Sequence, residues 1–146
     1  MALVERFECA VVLKGVGKIS DLEAVTQTLD GTLYFLCSQS QSRRGRRPEK
    51  RQWLLRVKRN DTDLQVTGQV ALYTALMKSL SIEQRAHIGM TGDLDIEGMS
   101  WLPGRGLLLG LKAPADGPNA MLWALENVSA LFDKGVFSEG GATISK

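Results

Sequence analysis

"AMLWALENVSALFDKG", residues 120–135, is the stretch on which the fold turns. Met121, Leu125, Val128 and Leu131 or Phe132 fall at helical spacing, and Gly135 stands where a helix stops. So read, it is the best helix in the chain, and its apolar stripe must be buried against another element. The segments just before it supply one. "MTGDLDIEGMSWL" (90–102) alternates at period two, with Leu94 and Ile96 inward and Asp93, Asp95 and Glu97 outward. "PGRG" (103–106) turns the chain, and "LLLGLK" (107–112) reads as a buried strand, so the two segments form a hairpin. "APADGPN" (113–119) links that hairpin to the helix.

Working further back, "QVALYTALMKSL" (69–80) reads as a helix through Val70, Tyr73, Leu76, Met77 and Leu80, although Val66–Tyr73 also tolerates a strand. Ser81 with Gln84 makes a capping box for a short helix ending near Gly89. "TLYFLCS" (32–38), "QWLLRVKR" (52–59) and "LQVTG" (64–68) read as strands. In the second of these, Trp53, Leu55 and Val57 face inward and Arg56 and Lys58 outward, with Arg59 at the strand's end. "GVGKISDLEAVTQTLDG" (15–31) reads as a turn and a helix, from a Ser20/Glu23 capping box, a Leu22, Val25, Leu29 stripe and a stop at Gly31. "VERFECAVVLK" (4–14) is a strand with Phe7, Cys9, Val11 and Leu13 on one face, and "SEGGATISK" (138–146) is expected to be a flexible tail. The order predicts α+β: a single domain over 1–146, a mostly antiparallel sheet with about three helices packed on it.

Composition agrees with a packed core. Of 146 residues, 44% are hydrophobic and 23% charged, close to the soluble average. No apolar run approaches the roughly 20 residues of a membrane-spanning helix. The first residues lack a positive region followed by an apolar stretch, so an intracellular, cytoplasmic protein is expected. Cys9 and Cys37 both fall in strand-like runs and read as reduced core thiols.

Most catalytic chemistries find no residues. The single histidine, His87, has no cysteine or histidine at metal-ligand spacing, so no metal and no cofactor is expected. Asp93, Asp95 and Glu97 share one strand face and read as its solvated side. There is no Gly-x-Ser-x-Gly elbow, and strand-buried cysteines are inert, so no catalytic residue is assigned. "KGVGKIS" (14–20) has glycines and a lysine before an expected helix, which reads as a tight turn first and an anion cradle second. "LPGRG" (102–106) reads the same way. "ALYTALMKSL…MTGDLDIEG…LPG" resembles the stretch after the catalytic serine of Lon-type proteases over about 35 residues. Val66, or its neighbour Thr67, stands where that family has its serine, and Lys112 is displaced behind an extra strand-like run. Without the nucleophile the resemblance does not carry the activity over.

The main functional signal is charge. Arg43, Arg44, Arg46, Arg47, Lys50, Arg51, Arg56, Lys58 and Arg59 face a single acid, Glu49, in seventeen positions. This segment carries +8 while the whole chain carries +2, which leaves −6 elsewhere. Residues 38–51 read as an exposed basic loop, because the stretch contains Gly and Pro and no apolar anchor. Folded over its own strand, that loop would form one contiguous positive surface. Arginine forks suit phosphate oxygens, and Tyr34, Phe35 and Trp53 flank the loop. The expectation is a non-catalytic subunit of a larger assembly that binds nucleic acid through these nine residues without reading sequence, RNA favoured over DNA. The alternative is a protein-interaction or self-assembling structural subunit, a homo-oligomer included, whose loop meets an acidic protein surface or an anionic membrane. A third use of 43–51, as a nuclear import signal, would make the protein nuclear.

Overall fold

The stretch 120–135 is not one helix. Asn119–Glu126 is a strand, Asn127 turns the chain through a left-handed conformation (φ 51°), and a helix follows over Val128–Lys134. Met121 and Leu125 satisfy both periodicities, and this is why the helical reading fits them. Trp123 decides between them: at period two it joins Met121 and Leu125 on one face, and all three are buried while Leu122 is half exposed.

The computed structural model describes residues 13–61 and 63–146. Most of the expected strand 4–14, Cys9 included, lies outside the described residues. Among the described residues, nine strands form two sheets. The first holds β1 (Leu13–Lys14), β5 (Leu64–Ala71), β4 (Trp53–Arg59), β3 (Leu33–Cys37) and β2 (Leu22–Gln27), in that order. Its neighbours are antiparallel except β1 and β5, which run parallel. The second holds β6 (Asp95–Leu102), β7 (Gly106–Asp116), β8 (Asn119–Glu126) and β9 (Thr143–Ser145), all antiparallel. Three short helices complete it: α1 (Leu72–Ser79), α2 (Ile82–His87) and α3 (Val128–Lys134). α2 starts at the expected capping box, with Ser81 Oγ accepting from Gln84 N–H and Gln84 Oε1 accepting from Ser81 N–H.

A mostly antiparallel domain with three helices agrees with α+β in outline. The finer expectation, one sheet carrying helices, gives way to two sheets sharing a core. Leu36, Leu54 and Val70 of the first sheet meet Ile96, Leu109, Trp123 and Leu125 of the second, with Leu76 of α1 and Leu131 of α3 closing the ends. A second, smaller core lies on the other side of the first sheet, where Phe35, Leu55, Val57 and Val66 pack against Leu13, Val16, Ile19 and Trp53. The first sheet is therefore covered on both faces, and β3 and the start of β4 are accordingly apolar on both faces. At one corner the sheets adjoin: the Trp101 N–H on β6 donates to Thr26 Oγ1 on β2 at 2.9 Å.

Three further expectations are corrected. Residues 22–27 form β2 rather than a helix. Asp21 sits at φ 61° with its carboxylate accepting from Ser38 Oγ at 2.7 Å, so Ser20 cannot open a helix. Val25, Thr26 and Thr28 also favour extended backbone. The helix expected over 69–80 starts only at Leu72, because β5 runs on to Ala71. The ladder partners shift from Arg56↔Gly68 to Val57↔Val66, leaving Thr67 as a bulge. That extra residue lets Val66 serve the small core and Val70 the large one, although their spacing alone would put both on one face. The tail 138–146 is tied down: Ala142 is buried, Asn127 Nδ2 donates to Gly141 O at 3.2 Å, and β9 pairs with β8.

Candidate functional site

The nine basic residues divide into three groups. The first is the exposed tip of the loop between β3 and β4. Arg43, Arg44 and Arg46 are exposed, on a turn closed by Ser42 N–H to Arg46 O (2.6 Å) and Gly45 N–H to Ser42 O (2.9 Å). Gly45 takes φ 70° there, which glycine supplies at no steric cost. Lys50 is exposed beside them on a single 3₁₀ turn, Glu49–Arg51. None of these four enters an ion pair among the described residues.

The second group holds the loop in place. The loop was expected to lie exposed throughout 38–51, but Ser38, Gln39 and Ser40 are buried and Arg47 nearly so. Polar anchors do what apolar ones would. Arg47 pairs with Asp93 at 2.6 Å, donates to Leu94 O at 3.2 Å and lies 3.6 Å from the centroid of the Tyr73 ring. Arg51 donates to Ser40 Oγ and Gln41 O at 3.2 Å each and lies 3.4 Å from Asp21. The buried Gln39 amide donates to Cys37 O and accepts from the Tyr73 N–H, and Gln52 accepts from Thr74 Oγ1 at 2.7 Å. Arg47 and Arg51 are thus committed to structure on this geometry.

The third group, Arg56, Lys58 and Arg59, lies at the far end of β4. Along the strand from its loop end, Arg56 lies roughly 10 Å away and Arg59 roughly 20 Å. The contiguous positive surface expected of the segment is not formed: the loop docks on Asp93, Leu94 and Asp21 and does not fold back over β4. Arg56 pairs with Tyr34 across the ladder, on the face that looks toward the second sheet. With Lys58 it lines a trough of about 690 Å³ at the open end of the two sheets, together with Tyr34, Trp101, Thr28 and Ser129. An adjoining hollow of about 320 Å³ shares Tyr34, Trp101 and Ser129 and adds Arg105.

An aromatic stack forms the floor. Tyr34 stacks with Trp101 (centroids 6.0 Å apart, planes at 13°) and, beneath the lining, with Phe132 (5.9 Å, 25°). The Arg56 guanidinium caps Phe132 at 5.1 Å and donates to Thr67 O and Oγ1. Burial pushes the Tyr34 hydroxyl above its ordinary pKa, against the opposing pull of Arg56, so it stays a protonated donor. Asp30 lies at the rim. Hydrogen bonds from Thr28 Oγ1 and the Thr32 N–H hold its carboxyl below the usual range, with Lys58 adding to the effect.

The other sequence candidates are placed as follows. The Asp95–Glu97 face is neutralised by Lys112, which lies 2.7 Å from Glu97 and 3.5 Å from Asp95, while Asp93 serves Arg47. Hydrogen bonding to Glu97 raises the lysine's pKa. Gly15–Ser20 leads into β2 and not into a helix, so the helix N-terminus that an anion cradle there required is missing. Phe35 and Trp53 pack against the small core rather than flanking an open surface. The trough residues Trp101, Thr28 and Ser129 went unread, since nothing in the local pattern brings residues 28, 56, 101 and 129 together. The one pointer was "LPGRG", whose turn at Pro103 and Gly104 forms part of the trough wall.

No known family, curated protein or solved structure matches this chain. No helix among the described residues is long and apolar enough to cross a membrane.

Proposed function

We propose that this domain is a non-catalytic subunit that contacts the phosphate backbone of nucleic acid, RNA in preference to DNA, through the tip of its basic loop. The observation that carries the reading is the pairing of an exposed cationic tip with a rigid base. Arg43, Arg44, Arg46 and Lys50 have no acidic partner among the described residues, while Arg47, Arg51, Gln39 and Gln52 fix the loop's root. A fixed root lowers the ordering cost of binding, and bare guanidinium groups suit phosphate oxygens. The helices among the described residues are six to eight residues long and present no row of basic residues to a DNA major groove. That favours backbone contact with single-stranded or irregular RNA.

The test is binding of the full chain to a fluorescein-labelled 20-nucleotide single-stranded RNA across a salt series. Replacing Arg43, Arg44 and Arg46 with Ala together should reduce the log–log salt slope by about 2, three phosphate contacts at roughly 0.7 each. An unchanged slope, or no binding at low salt, refutes the reading and directs the loop to an acidic protein surface.

A further inference from the structure

The trough at the other end of β4 has a chemistry of its own. Its volume of about 690 Å³ falls in the range of small-ligand sites, about 300–1,000 Å³. Three features coincide in it. The first is a flat apolar surface: Trp101 is half-buried, covers one face of Tyr34 and borders both hollows. Tyr34 stacks with both Trp101 and Phe132, whereas no second ring among the described residues stacks on Trp101. The second is positive charge with little to neutralise it. Lys58 is exposed and enters no ion pair among the described residues. Arg56 is held in advance by Thr67 and Phe132, with donor capacity left over. The one acid in the lining, Asp30, is ionised and offsets part of this charge, with its Oδ1 turned onto Thr28 Oγ1 and the Thr32 N–H; two cations against one acid leave the trough net positive. The third is a set of neutral hydroxyls in the same lining, from Thr28, Thr67 and Ser129.

A stacking surface, two cations and hydroxyls in one trough match a planar heterocycle, a phosphate and a sugar. We infer that this trough binds one nucleoside phosphate unit, its base against Trp101 and its phosphate on Lys58 and Arg56. Base–aromatic stacking tolerates any base, and Arg56 is pre-organised for an anion before the ligand arrives. The site stands apart from the loop: no loop residue lines it. Free nucleotide and a nucleotide within a strand share this chemistry.

The experiment is titration of the full chain with AMP, adenosine, inorganic phosphate and the trinucleotide ApApA, followed by amide and indole NMR shifts. AMP should move the Thr28, Ser129 and Trp101 signals and leave those of Arg43–Arg46 in place. Lys58→Gln, an exposed change that spares the fold, should weaken AMP about tenfold and leave adenosine unaltered. Trp101→Leu should weaken both AMP and adenosine about tenfold. Retention of the folded Trp123 indole signal shows that the variant is intact. Tighter binding of AMP than of ApApA assigns the site to free nucleotide, and the reverse order assigns it to a strand. The inference is overturned if 10 mM AMP leaves the trough signals unmoved, if phosphate alone binds as well as AMP, or if Lys58→Gln binds AMP like the wild type. Because the loop triple variant should bind AMP normally, failure here is separable from failure of the loop reading.

Discussion

Arg47→Ala should unfold the protein more readily than any other arginine change in the basic loop. The sequence gives no hint of this, since Arg47 is one of four arginines in five positions. In the structure only 8% of its side chain is exposed, and it makes three interactions at once. The bond to Asp93 is 2.6 Å long, but Asp93 is 43% exposed, so solvent screens the pair and its share is about 1 kcal/mol. The bond to the Leu94 carbonyl at 3.2 Å is charge-assisted and next to a fully buried side chain, worth about 1–2 kcal/mol. The guanidinium over Tyr73 at 3.6 Å contributes about 1 kcal/mol. One group makes all three, so the contributions overlap, and the expected loss is about 2–3 kcal/mol. For a domain of this size that is a fall of roughly 5–10 °C in Tm. Urea denaturation followed by tryptophan fluorescence measures it, with Arg43→Ala, Arg44→Ala and Arg46→Ala as references expected within about 0.5 kcal/mol of wild type. Arg47→Lys should recover less than half, because an ammonium cannot reproduce the fork that spans Asp93 and Leu94. A double-mutant cycle with Asp93→Asn should return a coupling of about 1 kcal/mol. If Arg47→Ala costs no more than its three neighbours, the loop is not anchored as described, and Arg47 rejoins the exposed cationic tip.

Two further predictions rest on local geometry. Gly106 opens β7 at φ +140°, and an added Cβ would lie 2.2 Å from Leu125 O, so Gly106→Ala should cost about 3 kcal/mol or more in the same denaturation assay. A cost below 1 kcal/mol would show that the β7–β8 pairing can yield there. Cys37 is buried, and desolvation pushes its thiol from 9.0 to about 11, with backbone N–H groups of Ser20 and Trp53 pulling partly the other way. In a Cys9→Ser background, Cys37 should therefore resist alkylation at pH 8 until the protein is unfolded. The unfolded thiol ionises first, so the native state binds the extra proton and stability should fall as pH rises from about 9 to 11. That part of the decline should vanish in Cys37→Ala, and its persistence there would assign it to other groups.

How much of this was legible depends on whether a residue's neighbours in sequence are also its neighbours in space. β3, β4 and the capping box of α2 each carry their signal within about ten residues and form where the pattern places them, while the β6–β7 hairpin keeps the expected turn but starts only at Asp95 and runs on to Asp116, through the expected linker 113–119. Leu22, Val25 and Leu29, like Met121, Leu125 and Val128, fit a helical stripe, but in the fold the first three are exposed, with Leu29 beyond β2, and only Met121 and Leu125 also fit a strand face. What excludes the helix is remote: Ser38 takes the Asp21 carboxylate, and β7 and β9 flank β8 on both sides. Tertiary pairing overrode a weak local preference. The tail failed for a similar reason, since "ATIS" has no visible partner until β8 is known to be a strand.

The basic segment shows the same limit from the functional side. Charge counts are additive along a chain but not across a fold. Nine cations within seventeen positions look like one surface because sequence distance is small. A strand, however, carries the chain about 3.3 Å per residue, so β4 sets Lys58 and Arg59 roughly 20 Å from the loop. Burial then removes Arg47 and Arg51 from the exposed set, because a polar loop with no apolar anchor must be held by its own charges or not at all. The length of β4 separates Arg43, Arg44, Arg46 and Lys50 at one end from Arg56 and Lys58 toward the other, and its alternation puts Arg56 and Lys58 on the face of Tyr34, in the trough lined by Trp101. One charge run thus becomes a cationic tip and a separate aromatic trough. On the two proposals above, they make opposite demands on a ligand: the tip would engage several phosphates in a row, whereas the trough would be satisfied by one phosphate and one base.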